Sequence, residues 1–181
     1  MTAPLVVVGG APATGKTTLA IALGQALGLP VITKDDVKES IAEPFTTGDR
    51  EWSRKLGRSA YTVLWTVTRR ILAAGAGLVL ESNFTRSGSE RTLREIASLA
   101  PTAVVVCRLD GRSRRRRFEE RAARGRHRVH VDTVYLDEWV DDDLDFLVEV
   151  GAPRLIVDTS DGYDPELERI VAFVRGATLA R

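Results

Sequence analysis

The chain has 181 residues, 44% of them hydrophobic and 28% charged, with a formal net charge of +1. That length suits one domain, 1–181, with a sizeable core, and the balance excludes a disordered chain or a general nucleic-acid coat. No apolar stretch reaches the ~20 residues that cross a bilayer, no basic region precedes the first apolar run, and the one cysteine lies in the apolar AVVVC run, so a cytoplasmic protein without an internal disulfide is expected.

The first element is the β-branched run Leu5 to Val8, which reads as a buried strand, followed by apolar residues at helical spacing from Thr17 to Leu27. Between them Gly10, Gly15, Lys16 and Thr17 match GxxxxGK[ST], the spacing of a phosphate-binding loop. Each residue type has a physical job there. Glycines let the chain turn so that amides from Ala13 through Thr14, Gly15, Lys16, Thr17 and Thr18 can face phosphate oxygens, and the new helix adds its positive end. Lys16 is expected to reach the β- and γ-phosphates of ATP, and the Thr17 hydroxyl to take one site on Mg²⁺.

The second run, Val31 to Thr33, leads into KDDVKES. A carboxylate after a strand on this edge can accept a proton from a hydroxyl attacking the γ-phosphate, and Lys38 can hold an anionic substrate group. The competing role for these acids is helix capping, with Glu39 completing a box from Asp36. The expectation assigns the cap to Asp36 and the functional role to Asp35. A long helix, Arg50 to Ala74, follows and is expected to form the acceptor pocket.

After the third run, Leu78 to Leu80, Glu81 stands where a carboxylate meets Mg²⁺ in phosphate-loop proteins, directly or through water. Ser82, Asn83 and Arg86 are candidates to orient substrate or phosphates; the alternative is helix entry, with Ser87 and Glu90 as a capping box for a helix over Ser87 to Ala100.

The fourth run, Ala103 to Cys107, precedes nine arginines between Gly111 and His130. Arg117, Arg121 and Arg124 fall at i, i+4 and i+7 and share one helix face, and Arg126 follows in a glycine-containing loop. Such a segment, about 111–131, reads as a lid that stabilises charge on a transferring phosphoryl group, while Arg112 and Arg114 to Arg116 read equally as a solvated face or a nucleic-acid footprint. His127 and His130 lack further ligand-like partners. Leu136, Trp139, Val140, Leu144 and Leu147 predict an amphipathic helix over Thr133 to Val150. A last run, Leu155 to Val157, and a helix over Pro165 to Arg175 close the chain. Five apolar runs alternating with helices predict a three-layer α/β fold, a five-stranded parallel sheet covered on both faces.

The segments GGAPATGKTT, ITKDDVKES, VLESNFTRSGSERTLREIA, RLDGRSRRRRFEERAARGR and LIVDTS together resemble the small phosphate-loop kinases of the AAA_33 type, relatives of polynucleotide kinase, zeta toxin and chloramphenicol phosphotransferase. The resemblance implies a nucleoside-kinase-like fold, a general base at Asp35, a lid arginine at Arg121 with Arg124 or Arg126 beside it, and a loop near adenine around Ser160 to Tyr163. The group usually has Asp where this chain has Glu81. The function expected is transfer of the γ-phosphate of ATP to a hydroxyl of a small molecule. Two alternatives stand beside it: a 5′-hydroxyl polynucleotide kinase, against which the near-neutral charge weighs, and a nucleotide-binding switch, which has no need of Asp35.

Overall fold

The computed structural model describes residues 3–45, 48–124, 129–130 and 144–179. Strands β1 (Leu5–Gly10), β2 (Val31–Thr33), β3 (Leu78–Glu81), β4 (Thr102–Arg108) and β5 (Arg154–Asp158) form one parallel sheet in the order β2-β3-β1-β4-β5. The runs of valine and leucine are buried on both faces, as a central parallel sheet requires. Alternate side chains go to opposite layers. Leu5 and Val7 join Leu64, Leu93 and Ile96, from helices α3 (Arg50–Ala73) and α4 (Glu90–Ala97). Val6 and Val8 join Leu19, Leu23 and Ile170, from α1 (Lys16–Leu27) and the last helix, α6 (Leu167–Leu179).

The order of the strands locates the site. The chain leaves β1 for the β2–β3 side and later returns to the β4–β5 side, so connections diverge above the carboxyl end of β1. The loop from Gly10 to Gly15 occupies that crevice. Val8 pairs with Glu81 and Gly10 with Cys107, which brings the ends of β3 and β4 beside it.

Several local expectations are corrected. Helix α2 (Lys34–Ala42) is capped three residues before the expected Asp36, by Thr33, whose hydroxyl accepts the Asp36 amide at 3.0 Å; Asp36 therefore sits inside the first turn. Glu39 pairs with His130 at 2.8 Å instead of boxing the cap. Helix α4 starts at Glu90, not Ser87, because the Ser87 amide and hydroxyl both bond the Asp145 carboxylate, at 3.1 and 3.0 Å. Most of the helix expected over Thr133 to Val150 lies outside the described residues. Its described end is a 3₁₀ turn at Leu144–Phe146 and then irregular chain, in which Val148 and Val150 turn into the core on either side of the exposed Glu149. That alternation has period two and excludes a helix there.

Candidate active site

Strand β1 ends at Gly10, with φ of 133°, where any Cβ would run into the Cys107 carbonyl. The loop then takes left-handed conformations at Ala13, φ 65°, and Gly15, φ 81°, a pattern that gathers backbone N–H groups into an anion-binding concavity. Helix α1 starts with no side-chain cap at Gly15, whereas α2, α3 and α5 (Gly111–Ala123) are capped by Thr33, Asp49 and Asp110. Its positive end is thus open to an anion. Thr14 is buried and braces the loop from within: its hydroxyl donates to the Ala11 carbonyl at 2.9 Å, and its carbonyl accepts the Thr159 hydroxyl at 2.8 Å. Lys16 Nζ donates to the Ala11 carbonyl at 2.8 Å. Burial holds its pKa below the ordinary lysine value, against the opposing pull of the Glu81 carboxylate.

Glu81 closes β3 and is only 4% exposed, and the Thr17 hydroxyl donates to its Oε2 at 3.2 Å. Burial pushes the carboxyl up from its ordinary value, while Lys16 and the Thr17 hydrogen bond pull it down. A hydroxyl and a carboxylate side by side at the mouth of an anion cradle fit Mg²⁺, which keeps several waters and takes few protein ligands. Among the described residues no group of three or more His, Cys, Asp or Glu could build a complete protein cage for a metal.

These groups open onto a cleft of about 650 Å³. Ala13, Gly15, Lys16, Thr17 and Thr18 line it from the loop and α1, Glu81 and Asn83 from the end of β3, and Asp35 from α2. Arg117, Arg121 and Arg124 line it from α5, so the spacing of i, i+4 and i+7 does place three cations on one wall. Arg117 donates to the carbonyls of Thr159 and Ser160, at 2.9 and 3.1 Å, and so ties α5 to the loop after β5. The Arg121 guanidinium lies 4.7 Å from the centroid of the Phe118 ring. Asp35 accepts from Lys34 at 3.2 Å and is about one-third exposed.

The structure does not bring every expected residue to the cleft. Gly10 and Thr14 shape the loop without lining it. Lys38 is 5% exposed and donates to the Ser53 hydroxyl at 2.7 Å and the Val129 carbonyl at 3.4 Å, which turns its ammonium into the α2–α3 packing. Arg86 donates to the Leu147 carbonyl at 2.8 Å and to the Glu149 carboxylate at 3.2 Å, fastening the chain ahead of β5. Arg126 lies outside the described residues.

Other groups escape a reading by motif. Glu120 and Pro12 also line the cleft. Tyr61 of α3 shares a hydrogen bond with the Ser82 hydroxyl at 2.8 Å, donates to the Asn83 carbonyl at 3.3 Å, and stacks on Trp65 with centroids 5.4 Å apart. Burial raises its pKa, and the charges of Asp35 and Glu81 add to the rise, so the hydroxyl stays protonated as a donor. Its signal in the sequence is the aromatic pair Tyr61 and Trp65 at i, i+4, which points to one helix face but not to its contacts.

The profile of the AAA domain family AAA_33 matches residues 5–142. No curated protein matches the chain. Among solved structures, a "putative kinase" from Chloroflexus aurantiacus is 32% identical, with a TM-score of 0.82, over 98% of this chain and 99% of its own. A gluconokinase from Sinorhizobium meliloti (18% identity, TM-score 0.55, 98% and 92% covered) has the same fold. So has an APS kinase from Mycobacterium tuberculosis (12%, 0.58, 99% of each chain). A phosphate loop at the switch point of a five-stranded parallel sheet, a family profile over more than half of the sequence and a relative matched end to end agree: the chain belongs to the AAA_33 family and has the fold of phosphate-loop kinases.

Proposed function

We propose that the protein is an ATP- and Mg²⁺-dependent phosphotransferase that moves the γ-phosphate to a hydroxyl of a small molecule. One observation carries the reading: Asp35 opens onto the same cleft as Lys16, Thr17, Glu81 and the α5 arginines. A nucleotide switch needs the last four and has no use for the first.

In this reading the loop amides and the open end of α1 bind the phosphates, and Lys16 leaves the Ala11 carbonyl to meet the negative charge that grows on the transferring group. Thr17 and Glu81 hold the cation, which when bound neutralises charge on the phosphate oxygens. Arg121 and Arg124 face the same space and add positive charge as the bond to the leaving oxygen lengthens. Asp35 takes the proton of the acceptor hydroxyl, and Asn83, on the same cleft, orients that hydroxyl. Arg117 holds the Thr159–Ser160 loop against α5, where the base would lie. Small-molecule acceptors are supported by the structural relatives, which include a gluconokinase and an APS kinase. The test is a phosphoryl-transfer screen with MgATP across sugars, sugar acids, nucleosides, oligonucleotides and antibiotics. Transfer to a small hydroxyl compound that disappears in Lys16→Ala is expected; transfer only to oligonucleotides, or none to any hydroxyl, contradicts the reading.

A further inference from the structure

Lys38 and Glu39 lie one helical turn beyond Asp35, and they bind Val129 and His130, the first described residues after Arg124 at the end of α5. The Lys38 ammonium donates to the Ser53 hydroxyl at 2.7 Å, the Ser53 hydroxyl donates to the Val129 carbonyl at 2.6 Å, and Lys38 also reaches that carbonyl at 3.4 Å. The next residue repeats the attachment, with His130 Nε2 2.8 Å from the Glu39 carboxylate. Lys38, Ser53 and Val129 are all buried, at 5, 2 and 0% exposure. A charged amine, a hydroxyl and a main-chain carbonyl that satisfy one another away from water form a stiff joint, because breaking any member leaves a desolvated polar group behind.

The joint lies behind the cleft and fixes α2 and α3 to those first described residues after α5 and its cap. On one side are α2, which carries Asp35, and α3; on the other is α5, whose Arg124 precedes Val129 by five residues and is therefore tethered within ~18 Å of it. Asp35 and Arg124 both line the cleft. We infer that Lys38 and Ser53, with the Glu39–His130 pair, are positioning residues that set Asp35 against the arginines of α5, and that Lys38 acts on the protein rather than on the substrate. The inference rests on the phosphotransferase reading for its effect on rate, but the joint itself can be measured without it.

The probe is MgATP alone, with water standing in for the acceptor. In Ser53→Ala, amide exchange at Val129, His130 and the last turn of α5 is expected to quicken roughly tenfold or more, because the local opening loses two bonds. MgATP affinity by calorimetry stays within about threefold, while kcat for hydrolysis falls roughly tenfold or more at unchanged KM, the pattern of a displaced reacting group. Lys38→Met gives the same split, and Ser53→Thr, which keeps the hydroxyl, restores both exchange and turnover. Unchanged exchange in a folded Ser53→Ala, or affinity falling in step with kcat, overturns the inference. A wild type that binds MgATP and never hydrolyses or transfers its phosphate overturns the phosphotransferase reading instead, and the exchange rates still judge the joint.

Discussion

The wall of the cleft that carries the phosphate loop is one continuous stretch, Gly10 to Thr18, whose form comes from backbone conformation at Gly10, Ala13 and Gly15. The wall that carries Asp35 is held from behind: Lys38 and Glu39 of α2, Ser53 and Tyr61 of α3, and Ser82 beyond β3 make side-chain hydrogen bonds across 15 to 91 positions of sequence. A site built on local backbone leaves a motif with fixed spacing. One built on long-range side-chain bonds leaves only scattered polar residues, each of which also has an ordinary explanation.

The two walls should also fail differently, and the sharpest break lies on the loop side. Lys16→Ala removes the cation that the loop itself supplies and leaves both core layers intact. Phosphoryl transfer should fall at least 10²–10³-fold with little change in the far-ultraviolet spectrum. Full turnover in a folded Lys16→Ala would break the comparison at its firm end.

Glu81 is the point where the walls meet, and its variant reads pH as well as metal. Burial raises its folded pKa above the ordinary 4.5, so ionising it costs stability: the penalty is absent well below that value, grows as pH rises through the raised pKa, and is complete above it. Glu81→Gln should therefore raise stability at pH 7, with no gain near pH 4, while the Mg²⁺ concentration needed for turnover increases roughly 10–100-fold. Thermal melts at the two pH values, beside a Mg²⁺ titration of activity, check both halves. A variant less stable at pH 7, with an unchanged Mg²⁺ requirement, would remove Glu81 from the metal site.

Smaller effects separate cap from catalyst on α2. Thr33→Ala should cost about 1 kcal/mol in a denaturant titration, because the Asp36 amide loses its acceptor. Asp36→Asn should cost only ~0.3–0.5 kcal/mol, since its carboxylate interacts with the helix end without capping it. The reverse order would return the cap to Asp36.

The same contrast explains how much of the molecule is legible in its sequence. All five strands coincide with apolar runs, and β1, β3 and β4 are buried on both faces as such runs require, whereas the edge strand β5 leaves Ile156 exposed. Arg117, Arg121 and Arg124 meet on one wall because helical spacing is local geometry. Lys38 shows the limit. Its position three residues after Asp35 suggests a substrate anchor, and nothing in the sequence nearby announces that Ser53 and the Val129 carbonyl will bury it. Arg86 is similar: Leu147 and Glu149 claim it from 61 and 63 positions away. For α2, the charges at 35 and 36 draw attention from Thr33, although a hydroxyl at a strand end is an equally good cap.

If one cleft binds the triphosphate with its loop wall and activates an acceptor hydroxyl with Asp35, the two tasks use different groups and come apart on substitution. The measurement is MgATP binding by calorimetry beside phosphoryl transfer to the acceptor found in the screen, for wild type and Asp35→Asn. The account predicts ATP affinity within a few-fold and transfer reduced roughly 10²-fold or more, the scale of a lost general base. Transfer at the wild-type rate in a folded Asp35→Asn that binds MgATP normally would contradict it.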